Sequence, residues 1–172
     1  MRTLRKNKEN LKYSLQAATV PAFETDEDGN IKFETYVDDD GNEFPILDDN
    51  GNKIPVFKQP FGSFEVLYSE PIQFDASIAM SGGEAQPVEY GLSIESYEAV
   101  VITEANAVPL TEGAIIWFQS EPEYISEDPI HITVNDKEIS GRFARKTSAD
   151  FIVLKKSPSL NYDKYILGAV NK

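Results

Sequence analysis

Between Ile72 and Met80 the side chains alternate: Ile72, Phe74, Ala76, Ile78 and Met80 fall on one face, and Gln73, Asp75 and Ser77 on the other. A period of two is the signature of a strand with one face against a core, and only Ala79 departs from it mildly. A second apolar run, Tyr97 to Thr103, fits a partner strand. The stretch between them holds Gly82, Gly83, Pro87 and Gly91, which interrupt any regular ladder. The spacing therefore predicts two strands presenting an exposed loop at 80–91, and the rest of the chain must supply a core for those strands.

The chain has the means to do so. Its 172 residues suit one domain of ordinary size with appendages, and with 41% hydrophobic and 11% aromatic residues a sizeable core can be buried. A net charge of -13 argues against a general nucleic-acid-binding surface, because phosphate neutralisation needs clustered Lys and Arg. An acidic surface can still serve DNA by repelling it. The absence of cysteine excludes disulfides and thiolate metal sites and suits a reducing interior. No apolar run approaches the roughly 18 residues of a spanning helix, and residues 13–20 are too short and polar for the apolar core of a signal peptide. The protein is expected to stay where it is made, with no membrane partner.

Charge is distributed unevenly. Residues 1–12 carry Arg2, Arg5, Lys6, Lys8 and Lys12 against Glu9, a charge of +4 that leaves -17 on the remainder. This segment reads either as a solvated terminal arm or as an arm that docks on an acidic neighbour or a second copy of the chain. From Glu24 to Asn52 one device recurs three times, Asp28-Gly29-Asn30, Asp40-Gly41-Asn42 and Asn50-Gly51-Asn52, and each predicts a two-residue hairpin turn. The intervening segments Ile31–Val37, Phe44–Leu47 and Ile54–Phe57 are short and rich in β-branched or aromatic residues, with Pro45 and Pro55 confined to edges. Calcium is the obvious question for so acidic a region. An EF-hand loop needs Gly at position 6 and Glu at position 12; starts at Asp26, Asp38 and Asp48 place Ile31 and Val37, Glu43 and Asp49, or Lys53 and Gln59 there. All three fail, so the turns read as solvated hairpin tips and no metal is expected.

Further strands are predicted at Phe64–Tyr68, Ala114–Phe118, Ile130–Val134, Lys137–Ile139, Asp150–Lys155 and Tyr165–Val170, with no long helix; an antiparallel barrel or sandwich follows. Trp117 reads as core. His131 is the only histidine, and its alternation with Ile130 and Ile132 makes it an outward or hydrogen-bonded structural residue. Phosphate loops, dinucleotide fingerprints and paired metal-ligand spacings are missing, and abundant carboxylates are not by themselves a glycosidase signal. The chain is expected to be a non-enzyme without a cofactor.

Three features in order, with the opening Met1-Arg-Thr-Leu-Arg-Lys-Asn-Lys8, give the chain a resemblance. They are the strand-loop-strand from Phe74 through Met80-Ser81-Gly82-Gly83-Glu84 to Val101; Thr111-Glu112-Gly113 before Ile116-Trp117; and Ala149 to Val153 with Ser159-Leu160-Asn161 before Tyr165-Ile166. Over residues 70–172 and the basic opening, the pattern resembles the head-closure, or stopper, proteins of the neck of tailed bacteriophages and prophages, also called head–tail joining proteins. The resemblance implies a small antiparallel β-barrel with long loops, assembled as a twelve-fold or six-fold ring of copies. A portal or adaptor protein would lie on the head side, a tail protein on the tail side, and double-stranded DNA would pass through without sequence-specific binding. It implies a virion protein made in the host cytoplasm. It carries a channel role to Met80, Ser81, Gly82, Gly83, Glu84, Ala85 and Gln86, while the opposed charges of the basic opening and the acidic remainder assign an assembly role to Arg2, Arg5, Lys6, Lys8 and Lys12. The expected organisation is a basic N-terminal arm at 1–20, an acidic β-hairpin extension at 21–68 and a barrel at 69–172, with Phe74, Ile78, Val101, Ile116, Trp117, Ile152 and Ile166 in its core. A phage tail-tube or baseplate component is the nearby alternative, and an acidic carbohydrate-binding β-sandwich module is the alternative of a different class.

Overall fold

Alternating sequences fold here into strands almost without exception. The computed structural model describes residues 8–59, 62–80 and 97–170, and among them the only helical element is the single 3-10 turn Lys146–Ser148. Twelve strands occur among the described residues: β1 (Glu9–Ser14), β2 (Gln16–Pro21), β3 (Thr35–Val37), β4 (Glu43–Pro45), β5 (Phe64–Tyr68), β6 (Ile72–Met80), β7 (Ala99–Glu104), β8 (Ile115–Trp117), β9 (Ile130–Val134), β10 (Lys137–Gly141), β11 (Phe151–Pro158) and β12 (Tyr162–Ala169). They divide between two compact units, Met1–Leu15 with Pro71–Glu123 and Arg145–Lys172, and Gln16–Glu70 with Tyr124–Ala144.

The first unit is a closed six-stranded antiparallel barrel in the order β1-β6-β7-β12-β11-β8. Closure pairs every strand on both sides and removes the exposed edges that an open sheet leaves. Inward-facing residues alternate along each strand and form one core: Leu11 and Tyr13, Phe74 and Ala76, Ala99 and Val101, Ile116, Phe151 and Val153, Tyr165 and Leu167. Tyr13 meets Phe74 edge-on at 5.4 Å between ring centroids. The β7–β8 connection contributes Val108, Leu110 and Ala114 to the same core. The barrel is thus filled with side chains and has no open lumen, as six strands enclose too little space for a channel.

The second unit holds three two-stranded sheets, β2-β5, β3-β4 and β9-β10. Its core is Val20, Phe23, Ile31, Leu67, Ile130, Ile132 and Phe143, with Phe57 stacked on Phe23 at 5.1 Å. The segments bearing the repeated turns are knit by cyclic sets of three backbone hydrogen bonds. Glu24 N–H donates to Val56 O (2.8 Å), Val56 N–H to Lys32 O (2.9 Å) and Lys32 N–H to Glu24 O (2.9 Å). Further on, Glu34 N–H donates to Ile54 O (2.8 Å), Ile54 N–H to Ile46 O (3.4 Å) and Ile46 N–H to Glu34 O (2.8 Å). Three chain segments meeting at one level satisfy each other's donors and acceptors in a ring, which substitutes for a longer ladder.

Several expectations need correction. The basic opening is not an arm as far as residue 20: β1 pairs with both β6 and β8, and Leu11 is buried. The charges of Glu9 and Lys12 hide an alternation in which Leu11 and Tyr13 face inward. Residues 124–144 leave the expected barrel and join the acidic extension, because Ile130 and Ile132 bury against Phe23 and Ile31. Trp117 and Ile166 are buried but lie outside the barrel core, on the opposite face from Ile116 and from Tyr165 and Leu167, and Ile152 is half-exposed while its neighbours Phe151 and Val153 point in. A bulge between Val153 and Lys155 shifts the β11–β12 register there.

Candidate functional site

The chemistry of the acidic turns follows from their backbone. In each, an Asp N–H donates to an Asn carbonyl four residues on at 2.9 Å, and a Gly N–H donates to the Asp carbonyl. Only the glycines have positive φ, +79° at Gly29, +85° at Gly41 and +83° at Gly51. These are therefore three-residue loops, a type I turn followed by a left-handed glycine, and not the two-residue turns expected. The two-residue form occurs once among the described residues, at Asn135-Asp136 between β9 and β10, where both φ values are positive.

One carboxylate oxygen in each turn is saturated by its own loop. Asp26 Oδ1 accepts from the N–H groups of Asp28 (3.0 Å) and Asn30 (2.8 Å), Asp38 Oδ1 from Asp40 (3.0 Å) and Asn42 (2.8 Å), and Asp48 Oδ1 from Asn50 (2.9 Å) and Asn52 (2.8 Å). The Asn side chains donate to the other oxygen. The Asn42 and Asn52 backbone N–H groups are the largest influence holding the Asp38 and Asp48 carboxyls below their ordinary range. Among the described residues no group of three or more His, Asp or Glu is placed to hold a metal ion.

The sequence-predicted channel loop starts from a well-defined base. Met80 ends β6 opposite Ala99 at the start of β7, after the pairs Ser77–Ile102, Ile78–Val101 and Ala79–Val100, and its side chain is exposed. Eighteen residues separate the two strands. Ser81, Gly82, Gly83, Glu84, Ala85 and Gln86 lie outside the described residues. Strand direction places the ends of β6, β8 and β12 and the starts of β1, β7 and β11 at this same end of the barrel.

The basic residues assigned to assembly are divided. Arg2, Arg5 and Lys6 lie outside the described residues. Lys12, on β1, pairs with Glu121, and Lys8 lies 3.7 Å from Glu104. Both ion pairs lie within the barrel unit.

Two constellations went unread in the sequence. Asp163 is buried in the barrel unit, and its Oδ2 accepts from the Asn106 N–H (3.0 Å), Lys156 Nζ (3.2 Å) and Tyr165 hydroxyl (3.3 Å), the last of which also reaches Val108 O (3.2 Å). Asn106 sits at φ +58°. This network ties the β7–β8 connection to β12. Asp163 shares the inward face of β12 with Tyr165 and Leu167, and no sequence signal joins it to Asn106.

The second is a cavity of about 310 Å³ in the other unit. Ile54, Pro55, Phe57 and Ile132 give it apolar walls, and Asp48, Asn50, Asn52, His131, Thr133 and Glu138 give it polar ones. His131 is half-buried, and its Nδ1 lies 2.8 Å from Ser140 Oγ on β10. No helix among the described residues is long and apolar enough to cross a membrane. Set against protein-family models, curated proteins and solved structures, the chain matches none of them.

Proposed function

We propose that this chain is a structural protein of the neck of a tailed phage, a head-closure or stopper subunit that forms a ring at the head–tail interface, retains packaged DNA and offers the tail its attachment surface. The observation that carries the reading is a closed, side-chain-filled barrel whose paired strands β6 and β7 are interrupted at one end by an 18-residue excursion. A filled barrel is a rigid mount, and it cannot conduct DNA through itself. Any passage must lie between copies arranged in a ring, with a portal or adaptor above and a tail protein below. The net charge of -13 suits a wall that DNA slides past without sticking. Screening over about 8 Å at physiological ionic strength keeps that repulsion near the surface, so closure falls to Met80–Gln86 occupying the space. The role is mechanical, with no catalytic step and no cofactor.

Replacing Ser81–Gln86 by a tight turn is the test. The expected result is a folded protein that still assembles into necks while DNA leaks from heads lacking tails. Heads that keep their DNA normally with the shortened protein in place would sink the stopper role.

The cavity beside His131 favours a second reading, a glycan-binding role for the unit that holds it. A pyranose ring offers an apolar face to Phe57 and Pro55 and hydroxyls to Asn50, Asn52, Asp48 and Glu138, and about 300 Å³ is at the lower end of small-molecule sites. Saturation-transfer NMR with methyl glycosides of common hexoses is expected under this reading to show ring-proton signals that His131→Ala weakens. A panel that gives no signal removes it.

A further inference from the structure

The described residues expose eight large hydrophobic side chains, and four of them, Tyr36, Val37, Phe44 and Leu47, come from one short stretch. Every residue of β3 and β4 is exposed, and the rings of Tyr36 and Phe44 stack on each other at 5.6 Å without being covered. Scattered exposed apolar side chains are ordinary, but a cluster on a hairpin that contributes nothing to the unit's core is the pattern of a contact surface. The cluster is framed by one sign of charge. Residues 34–49 contain seven carboxylates and no Lys or Arg. Asp38 and Asp48 are consumed by their turns and Glu43 accepts from Thr35, while Glu34, Asp39 and Asp49 have no ion pair among the described residues.

A surface of this chemistry selects a partner segment that is basic and carries an apolar anchor. Another acidic hairpin is excluded by like-charge repulsion. Residues 1–8, Met1-Arg-Thr-Leu-Arg-Lys-Asn-Lys8, hold four cations and no acid around Met1 and Leu4, and Arg2, Arg5 and Lys6 are complementary to Glu34, Asp39 and Asp49. We infer that the exposed face of the β3–β4 hairpin docks the basic N-terminal segment of a second copy of this chain. Leu4 covers the Tyr36–Phe44 pair, and the flanking cations meet the unpaired carboxylates. The contact is heterologous, segment of one copy to hairpin of the next, so it propagates around a ring or along a filament.

The inference stands apart from the neck reading, because it is tested on the purified full-length chain. Sedimentation velocity over a range of protein concentrations is expected to show reversible association that weakens at least about tenfold between about 50 mM and 500 mM salt. The double variant Tyr36→Ser/Phe44→Ser and the triple variant Arg2→Glu/Arg5→Glu/Lys6→Glu should each abolish it. Both leave the cores untouched, so their melting temperatures should match that of the parent. Adding Glu34→Lys, Asp39→Lys and Asp49→Lys to the triple variant should restore association. A chain that is monomeric at every concentration, or one whose association ignores the hairpin substitutions, overturns the inference. So does loss of association in the triple variant that the reversed hairpin fails to rescue. None of these results would bear on DNA leakage.

Discussion

Tyr165→Ala should lower the stability of the barrel by about 3–5 kcal/mol, measured by chemical denaturation, and Ile152→Ala by less than about 1 kcal/mol. Tyr165 is fully buried inside the barrel, where truncation leaves a cavity that neighbouring strands cannot collapse to fill. Its hydroxyl donates to the Val108 carbonyl, so the same change also frees an acceptor on the segment that helps fill the barrel. Ile152, one strand away on β11, is half-exposed between inward-facing Phe151 and Val153. The contrast reads the register directly, since a slip of one residue would exchange the two faces. Val153→Ala should fall between, at about 2 kcal/mol. If Ile152→Ala cost as much as Val153→Ala, the assignment of the inward face of β11 would be wrong.

This register marks the boundary of what the residues disclosed before the fold was known. Alternation in Ile72–Met80 was legible because its polar partners are Gln, Asp and Ser, so the inward face declares itself. In Phe151-Ile-Val-Leu154 and Tyr165-Ile-Leu167 every residue is apolar, period two has no contrast, and only pairing with neighbours decides which side faces the core. β1 is hard to read for the opposite reason, because the charges of Glu9 and Lys12 mask the alternation of Leu11 and Tyr13. The repeated Gly-Asn turns were located correctly by residue type, but their length depends on which residue before the glycine keeps a negative φ, and composition does not fix that. Tyr124–Ala144 joined the other unit through Ile130, Ile132 and Phe143. A contact across about a hundred residues leaves no local trace. The base of the candidate channel loop, Met80 opposite Ala99, was legible for the same reason as β6 itself.

Acid should destabilise the barrel through Asp163, and the direction follows from its partners. Burial acts to raise the Asp163 pKa, but the Asn106 N–H, Lys156 Nζ and the Tyr165 hydroxyl outweigh it, and the carboxyl is held below its ordinary value. Asp150 behaves alike: burial opposes, while the Ser120 hydroxyl and the N–H groups of Ser120, Phe118 and Gln119 prevail. A carboxyl with a depressed folded pKa stays ionised in the native state while its unfolded counterpart, near pH 4, takes up a proton. The unfolded state therefore binds more protons in that window. The stabilisation is complete above about pH 5 and is lost as the pH falls through 4 towards the lower folded pKa. Asp163→Asn removes the charge that Lys156 and the Asn106 N–H were arranged around, and at pH 7 it should cost about 2 kcal/mol. The more telling readout is the slope: denaturation curves from pH 6 to pH 2 should fall less steeply for Asp163→Asn than for the parent. Lys156→Met, which keeps the carboxylate but withdraws its cation, should move the acid transition of the parent to higher pH, because the folded pKa of Asp163 rises towards its unfolded value. Parallel curves for all three proteins would show that the Asp163 carboxyl titrates alike in the folded and unfolded states, so that its network contributes no acid dependence to the barrel.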